Sequence, residues 1–501
     1  MKNVLKFLEN SANQFPNKEA VVDGEKIIDY TGLVEKSKKY GSYIAKLCES
    51  RQPVVVFSFK SIQTLSAMFG AVYAGCFYVP VNPEQPNERV EKILEVLKAP
   101  LVITTDELKE RIEEIGYKGA IATYTKLEQA ALDNELILKR QQSLKDEDPL
   151  YGIFTSGSTG TPKCIIVNHQ CVVDFIGHFT KTFGLKQSDR IGNQAPFDFD
   201  VSVKDIYSAI KLGATLVLIQ KELFALPPGL LDYLEDKQVT VLVWAVSALC
   251  QISGLHGFDY KVPANIHTVM FSGEKMPIKQ LTIWQEAMPD TRFINLYGPT
   301  EITCNCTYFP VDRIYNKEEK LPIGNAFEGR NVFLLDENRK IITEADVTGE
   351  ICCSGESIAL GYYKNEEQTN NAFIMYEYKG ENLRTYCTGD LAYYDEKGRL
   401  VFAGRKDFQI KHMGHRIELE EIENNMNNLE EVTRCVVLFD TNKNKITAFY
   451  CGSVAPKELR AILKEKLPVY MVPQKINQVD AIPLTKNGKL DRKYFKELLE
   501  V

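Results

Sequence analysis

The chain predicts an α/β fold: a large N-terminal domain of two parallel-type sheets with helices plus a small β-subdomain, then a small mobile α+β C-terminal domain. Three observations carry this. At 501 residues the chain exceeds one ordinary hydrophobic core. Apolar runs of strand length alternate with amphipathic helical stretches, the pattern of parallel sheets covered by helices. After Gly404 the texture shifts, and the ~95 residues that remain suffice for a separate small domain.

At the start, Val4, Leu5, Phe7 and Leu8 are interrupted by Lys6 and Glu9, which reads as a short surface helix and not a signal peptide. Strands are predicted at 53–57, 77–81 and 101–104, then at 215–219, 239–244, 267–272 and 292–295. Amphipathic stretches at 87–97 and 278–287 lie between them. The longest apolar region, 65–81, is broken by Gly70, Gly75 and Pro80, so it predicts a buried helix running into a strand rather than a membrane span. From about Glu328, short strands at 331–335, 349–354 and 400–403 are punctuated by turn residues such as Gly355 and Lys397-Gly398. Beyond the boundary, which falls between 1–404 and 405–501, residues 417–426 put Leu419, Ile422 and Met426 on one helical face. A hairpin follows at 436–440 and 446–451, and Pro456 opens an amphipathic helix to 467.

A hydrophobic content of 44% with 25% charged residues is that of a globular soluble protein, and the net charge of −7 argues against nonspecific nucleic-acid binding. Twelve cysteines occur without a CxxC pair, and six scattered histidines offer no zinc pattern. They read as buried free thiols in a reducing compartment, hence a cytosolic protein with no membrane and no nucleic-acid partner.

Residues 151–163, YGIFTSGSTGTPK, crowd hydroxyls and glycines into a loop ending in Lys163. Such a loop can wrap a polyphosphate: glycines let backbone N–H groups approach, hydroxyls donate, and the lysine adds charge. It is not the GxxxxGK[ST] loop, since Cys164 follows the lysine. Apolar strands on both sides make it a hairpin tip rather than a flexible linker. Residues 295–301, NLYGPTE, end a strand with a turn carrying Tyr297, Thr300 and Glu301, able to stack on a base, meet a phosphate and hold Mg²⁺; an ordinary Gly-Pro turn would look the same. Asp390, after a glycine turn in YCTGDL, is suited to ribose hydroxyls. The charged stretch GRKDFQIKHMGHRIE, 404–418, has apolar flanks and predicts an ordered joint. Residues 483–492, PLTKNGKLDR, form a polar loop with Lys486 and Lys489, for which surface charge is the default.

These five motifs, in this order, resemble the adenylate-forming enzyme superfamily, and the resemblance runs from about Asn13 to Arg492. It implies ATP and Mg²⁺ as cofactors. It makes Thr155, Ser156, Gly157, Ser158, Thr159, Gly160 and Lys163 the mobile phosphate loop. Tyr297 would stack on adenine, with Asn295 and Gly298 in the same nucleotide site. Thr300 and Glu301 would stand by the α-phosphate and metal, and Asp390 with Arg405 would hold the ribose. Asp407 would be the hinge on which the C-terminal domain turns between two half-reactions, and Lys489 would bridge substrate carboxylate and α-phosphate. A lysine there offsets the repulsion of two anions that must meet.

Residues 193–205, NQAPFDFDVSVKD, resemble the amino-acid-activating branch, in which an aspartate at the position of Asp200 pairs with the substrate's ammonium. A carboxylate in an acyl pocket is costly without a cation. Asp205, and with it Asp198, reads instead as a surface aspartate at a helix start. The resemblance is strongest to stand-alone D-alanine–carrier protein ligases, and it makes Val201, Lys204, Val243, Met270, Ser272, Leu296, Cys304 and Asn305 the side-chain pocket. Ser272 and Lys204 depart from that pattern, as do Cys164 and Cys387. Lys204 either enters the pocket or snorkels to solvent, with snorkelling the favoured expectation. The implied activity is adenylation of a small or polar amino acid, D-alanine included, followed by transfer to the phosphopantetheine thiol of a separate carrier protein. No thiolation module follows Val501, and a monomer is expected. An acyl-CoA synthetase and a catalytically silent nucleotide-binding paralogue are the competing readings.

Overall fold

The structure, a computed structural model, describes residues 3–157, 162–441, 443–483 and 492–499. It is mixed α/β, with a large N-terminal and a small C-terminal domain. Nine strands form the first sheet, of which six are parallel: Arg292–Tyr297, Thr268–Ser272, Val241–Ala245, Arg190–Asn193, Thr215–Leu218 and Glu19–Asp23, in spatial order. A seven-stranded sheet has a parallel centre built on Phe77–Val81, Pro53–Phe57 and Leu101–Thr104. Every residue of those three strands is buried, as expected where helices cover both faces of a parallel sheet. One continuous apolar core runs from Val54 and Ile103 through helix Ile62–Tyr73 to Ile191, Leu216 and Met270 of the nine-stranded sheet.

The third sheet is antiparallel throughout, with Arg330–Leu335, Gly349–Gly355, Glu381–Tyr394 and Leu400–Arg405 as its main strands. It is the expected β-subdomain. The C-terminal domain packs helices Leu419–Asn427 and Pro456–Lys466 on strands Val432–Asp440 and Lys445–Gly452 through Ile422, Met426, Val437, Ala448, Leu459 and Leu463.

Helices Asn87–Leu97 and Ile278–Ala287 match their predicted ends, most strand ends move by a residue or two, and the strand predicted at 436–440 begins four residues earlier, at Val432. The helix predicted at 417–426 is corrected: Ile417 lies in strand His415–Glu418, paired with Gln409–His412, and the helix begins at Leu419. The turn between these strands consists of Met413 at φ 53° and Gly414 at φ 80°. Two successive left-handed residues make a tight hairpin of the kind the right-handed strand twist favours, so the joint at 404–418 is a projecting two-stranded arm.

Candidate active site

Strands Arg190–Asn193, Val241–Ala245, Thr268–Ser272 and Arg292–Tyr297 end side by side, the place where open α/β sheets bind ligands. The hydroxyl-rich segment lies in sequence between strands Pro149–Thr155 and Lys163–Asn168, which pair antiparallel with Thr155 opposite Lys163. Ser158, Thr159, Gly160 and Lys489 lie outside the described residues. Ser156 Oγ donates to the Arg416 carbonyl at 2.8 Å and accepts from the Glu418 N–H at 3.1 Å. The Gly157 N–H donates to Glu421 Oε2 at 3.2 Å. The Lys163 ammonium stands 5.6 Å from the Tyr362 ring centre, and its burial lowers its pKa despite the nearby Glu418 carboxylate.

On the nucleotide side, the Tyr297 hydroxyl donates to Asp390 Oδ2 at 2.6 Å. Asp390 faces Arg405 across a strand pair and accepts from its guanidinium. The same guanidinium grips Asp407 through Nε to Oδ1 at 2.7 Å and Nη2 to Oδ2 at 2.8 Å. Tyr297, Asp390, Arg405 and Asp407 are therefore links of one hydrogen-bonded chain. Lys411 Nζ lies over the Tyr297 ring at 5.5 Å. Asn295 commits its amide to the Pro322 carbonyl at 2.8 Å.

Gly298 allows the next turn to close. A Cβ there would stand 2.5 Å from the Asn305 Cα and 2.8 Å from the Cys304 carbonyl oxygen, so no other residue fits. Thr303 and Cys304 take φ of 54° and 73°. They are held by Thr303 Oγ1 donating to the Ser357 carbonyl at 2.7 Å and by the Cys304 thiol donating to the Asp200 carbonyl at 3.2 Å. Glu301 is fully buried. Its carboxylate accepts from the Tyr362 hydroxyl at 2.9 Å and from Arg416 Nη1 at 2.7 and 2.8 Å. Burial pushes this carboxyl up, but the Arg416 guanidinium, a backbone N–H and the Tyr386 hydroxyl together outweigh it and leave Glu301 below its ordinary pKa. Glu301 is thus a buried carboxylate whose cation comes from the C-terminal arm, and it is a residue that could hold a divalent cation.

The residues expected to form the side-chain pocket gather around helix Val201–Leu212, with Asp200 at its N-cap. Asp200 and Lys204, four residues apart, share a helix face. Val243 and Met270 are paired across adjacent strands, Ser272 ends the second, and Leu296 belongs to the third. Asp200, Val201 and the other seven expected pocket residues are all buried. Burial raises the Asp200 carboxyl, while Lys204 and Thr300 pull it back.

Two expectations are corrected here. Lys204 does not snorkel: it is 1% exposed, and its ammonium donates to Ser272 Oγ at 3.2 Å and Asn305 Oδ1 at 3.0 Å. Asp205 is not a surface aspartate: it is 0% exposed and accepts from Asn193 Nδ2 at 2.8 Å, with burial pushing its carboxyl up to about 8. The cause is common to both. Residues 201–210 of this helix are buried on every side, so its first turns have no solvent face. Asp198 is half-buried, and burial raises it to about 6.

Sequence reasoning missed Arg416, Lys411, Arg89, Glu274 and Glu421. The arm's turn rests on Ala245 and Phe199, and the Gly414 N–H donates to the Glu274 carboxylate. His415 stacks on Tyr470 with centroids 3.7 Å apart, and burial pushes its imidazole down to about 4. Arg89 and Glu421 pair at 2.5 Å with both side chains nearly inaccessible. A narrow cavity of about 60 Å³ opens between Arg89, Ile153, Phe199, His415 and Tyr470. Gly414 was the available signal for the arm's turn; its carboxylate partners Glu301 and Glu274, 115 and 140 positions away from the residues they meet, left none.

The fold and this arrangement define an enzyme that adenylates its substrate. Residues 8–363 match the AMP-binding enzyme family and residues 421–489 the AMP-binding enzyme C-terminal domain, and the chain belongs to this family. It is 31% identical over 512 residues to the D-alanine--D-alanyl carrier protein ligase of Staphylococcus aureus strain Newman, covering 100% of both chains. It is 28% identical to tyrocidine synthase 1 of Brevibacillus parabrevis, over 99% of this chain and 45% of that protein, so it spans less than half of that relative. The Vibrio cholerae adenylation domain AlmE, solved with glycyl-adenosine-5'-phosphate, has the same fold: its TM-score is 0.85 at 20% identity over 100% of this chain and 98% of that one.

Proposed function

We propose that the protein is an ATP-dependent amino acid–carrier protein ligase. The observation that carries this is Asp200, a carboxylate buried in the acyl pocket beside Thr300 and within the field of Glu301. Lys204, one turn further on, lowers this carboxyl from a distance but makes no ion pair with it among the described residues, and an α-ammonium would supply the direct partner. In the first half-reaction a carboxylate oxygen of the amino acid attacks the α-phosphorus of ATP and pyrophosphate leaves. In this reading Lys489 would offset the repulsion of the two anions, Asp390 and Arg405 would hold the ribose, and the segment from Thr155 to Lys163 would hold the outgoing phosphates. Mg²⁺, held by Glu301, would neutralise the phosphate oxygens. In the second half-reaction a carrier-borne phosphopantetheine thiol attacks the acyl carbon, and AMP leaves.

The domain boundary belongs at 404/405, with Asp407 as hinge. The present arrangement suits the second half-reaction: Arg416 takes the metal's place on Glu301, and the Gly414 turn lies at the pocket mouth. The narrow cavity beside His415 would be the thiol's way in. Twelve free cysteines support a reducing, cytoplasmic setting. Pyrophosphate exchange across D-, L- and β-amino acids tests the reading. Exchange that survives in Lys489→Ala and Asp200→Ala at near wild-type rates would sink it.

A further inference from the structure

Lys204 is a buried cation that the adenylation chemistry does not use. Its ammonium has three N–H donors, and two go to neutral acceptors, Ser272 Oγ and Asn305 Oδ1. Among the described residues no carboxylate forms an ion pair with it. The nearby acids do not supply a dedicated counter-charge. Asp205, next in sequence, donates no full negative charge near neutral pH, because burial pushes its carboxyl up to about 8 and one of its oxygens has no partner. Asp200, one turn earlier, is the group reserved for the substrate's ammonium. A neutral substrate side chain would therefore leave two buried ammonium groups sharing one carboxylate. An anionic side chain makes two and two.

We infer that this pocket selects an amino acid with a carboxylate side chain, held by Lys204 while Asp200 holds the α-ammonium. The inference rests on the proposed amino acid activation. The fixed partners of Lys204 suit it to the task. Ser272 at a strand end and Asn305 behind the tight Gly298 turn hold the ammonium in place, and an ammonium has a third N–H to give. Asp200 and Lys204 on one helix face form a two-point clamp that reads both ends of a dicarboxylic amino acid.

The test is pyrophosphate exchange by the full chain with both enantiomers of aspartate, glutamate and 2-aminoadipate, set against asparagine, glutamine, alanine and 2-aminobutyrate. One acidic amino acid is expected to exceed its own amide by about 10²-fold or more in kcat/KM, since a site built for a charged group rejects an analogue that leaves it unpaired. Lys204→Met should remove about that factor for the acidic substrate and reverse the preference toward a neutral one. Exchange with the neutral substrate then serves as proof that the variant is folded. A wild-type enzyme that prefers alanine or an amide overturns this inference and leaves amino acid activation standing. An unaltered acidic preference in Lys204→Met overturns it as well. Absence of exchange with every amino acid overturns both readings.

Discussion

The contact between Arg416 and Glu301 predicts how firmly the C-terminal arm sits in the site. Arg416→Ala would leave Glu301, which is fully buried, with the Tyr362 and Tyr386 hydroxyls and, among the described residues, no cation paired with it. Removing one member of a buried ion pair costs about 3–5 kcal/mol because the other charge stays desolvated. The arginine side chain is 17% exposed, so water can reach the vacated space and the lower end applies. About 3 kcal/mol is roughly a 10²-fold shift in the docking equilibrium. The pair Arg89–Glu421 is untouched, which keeps the change local to the arm. Two backbone amides report on docking, since the Gly157 and Gly414 N–H groups both donate to carboxylates across the interface. Hydrogen exchange at those amides should accelerate by about that 10²-fold factor in Arg416→Ala. It should stay unchanged in Arg434→Ala, an exposed substitution on strand Val432–Asp440. Equal protection in both variants, within about twofold, would refute the assignment of docking energy to this pair.

Gly298→Ala forces a methyl group to 2.5 Å from the Asn305 Cα. The expected loss is about 1–3 kcal/mol or more in thermal unfolding, and substrate-dependent exchange should fall further than stability does. His169 is fully buried, with neither ring nitrogen partnered among the described residues, and burial lowers its pKa from 6.5 to about 4. A depressed pKa contributes stability that is present above pH 6.5 and lost as pH falls through 4, by about 3 kcal/mol in total. Denaturant titrations at pH 7 and 4.5 should therefore show wild type losing ground to His169→Leu at the lower pH. Asp205 has the opposite sign: its raised carboxyl favours the folded state below about pH 4, and that contribution fades as pH rises toward about 8. Asp205→Asn should gain on wild type across that window, and a pH-independent difference would contradict the buried neutral carboxyl.

How much of this was legible in the sequence depended on whether the signal was local. Strands Pro53–Phe57, Phe77–Val81 and Leu101–Thr104 were read to the residue because burial on both faces makes them continuous apolar runs. The motif residues also converge: Tyr297 reaches Asp390, and Asp390 reaches Arg405, although the first two are 93 residues apart. Lys204 was misread because a charged residue in an amphipathic segment defaults to the wet face, and nothing local says that the helix has none. The acids of the arm interface were invisible for the same reason. Glu421 earns its role by meeting Arg89, 332 positions away. Residues 417–426 satisfied a helical period while Ile417 served an alternating one, and two periods overlap at any strand-to-helix junction.

The segment from Asn295 to Asn305 touches three separate clusters: Tyr297 meets Asp390, Glu301 meets Arg416, and Asn305 meets Lys204. Its backbone is folded against itself so closely at Gly298 that a single methyl group does not fit. Specificity therefore has unequal room to drift. On the proposed function, a replacement at Cys304 or Asn305 would disturb the same turn that holds Tyr297 and Glu301, so a new side-chain preference gained there would come with damage to the nucleotide side. Lys204, Val243 and Met270 stand on a helix and two strands outside that turn. Through those three positions a descendant of this chain can change what it recognises while the turn stays intact.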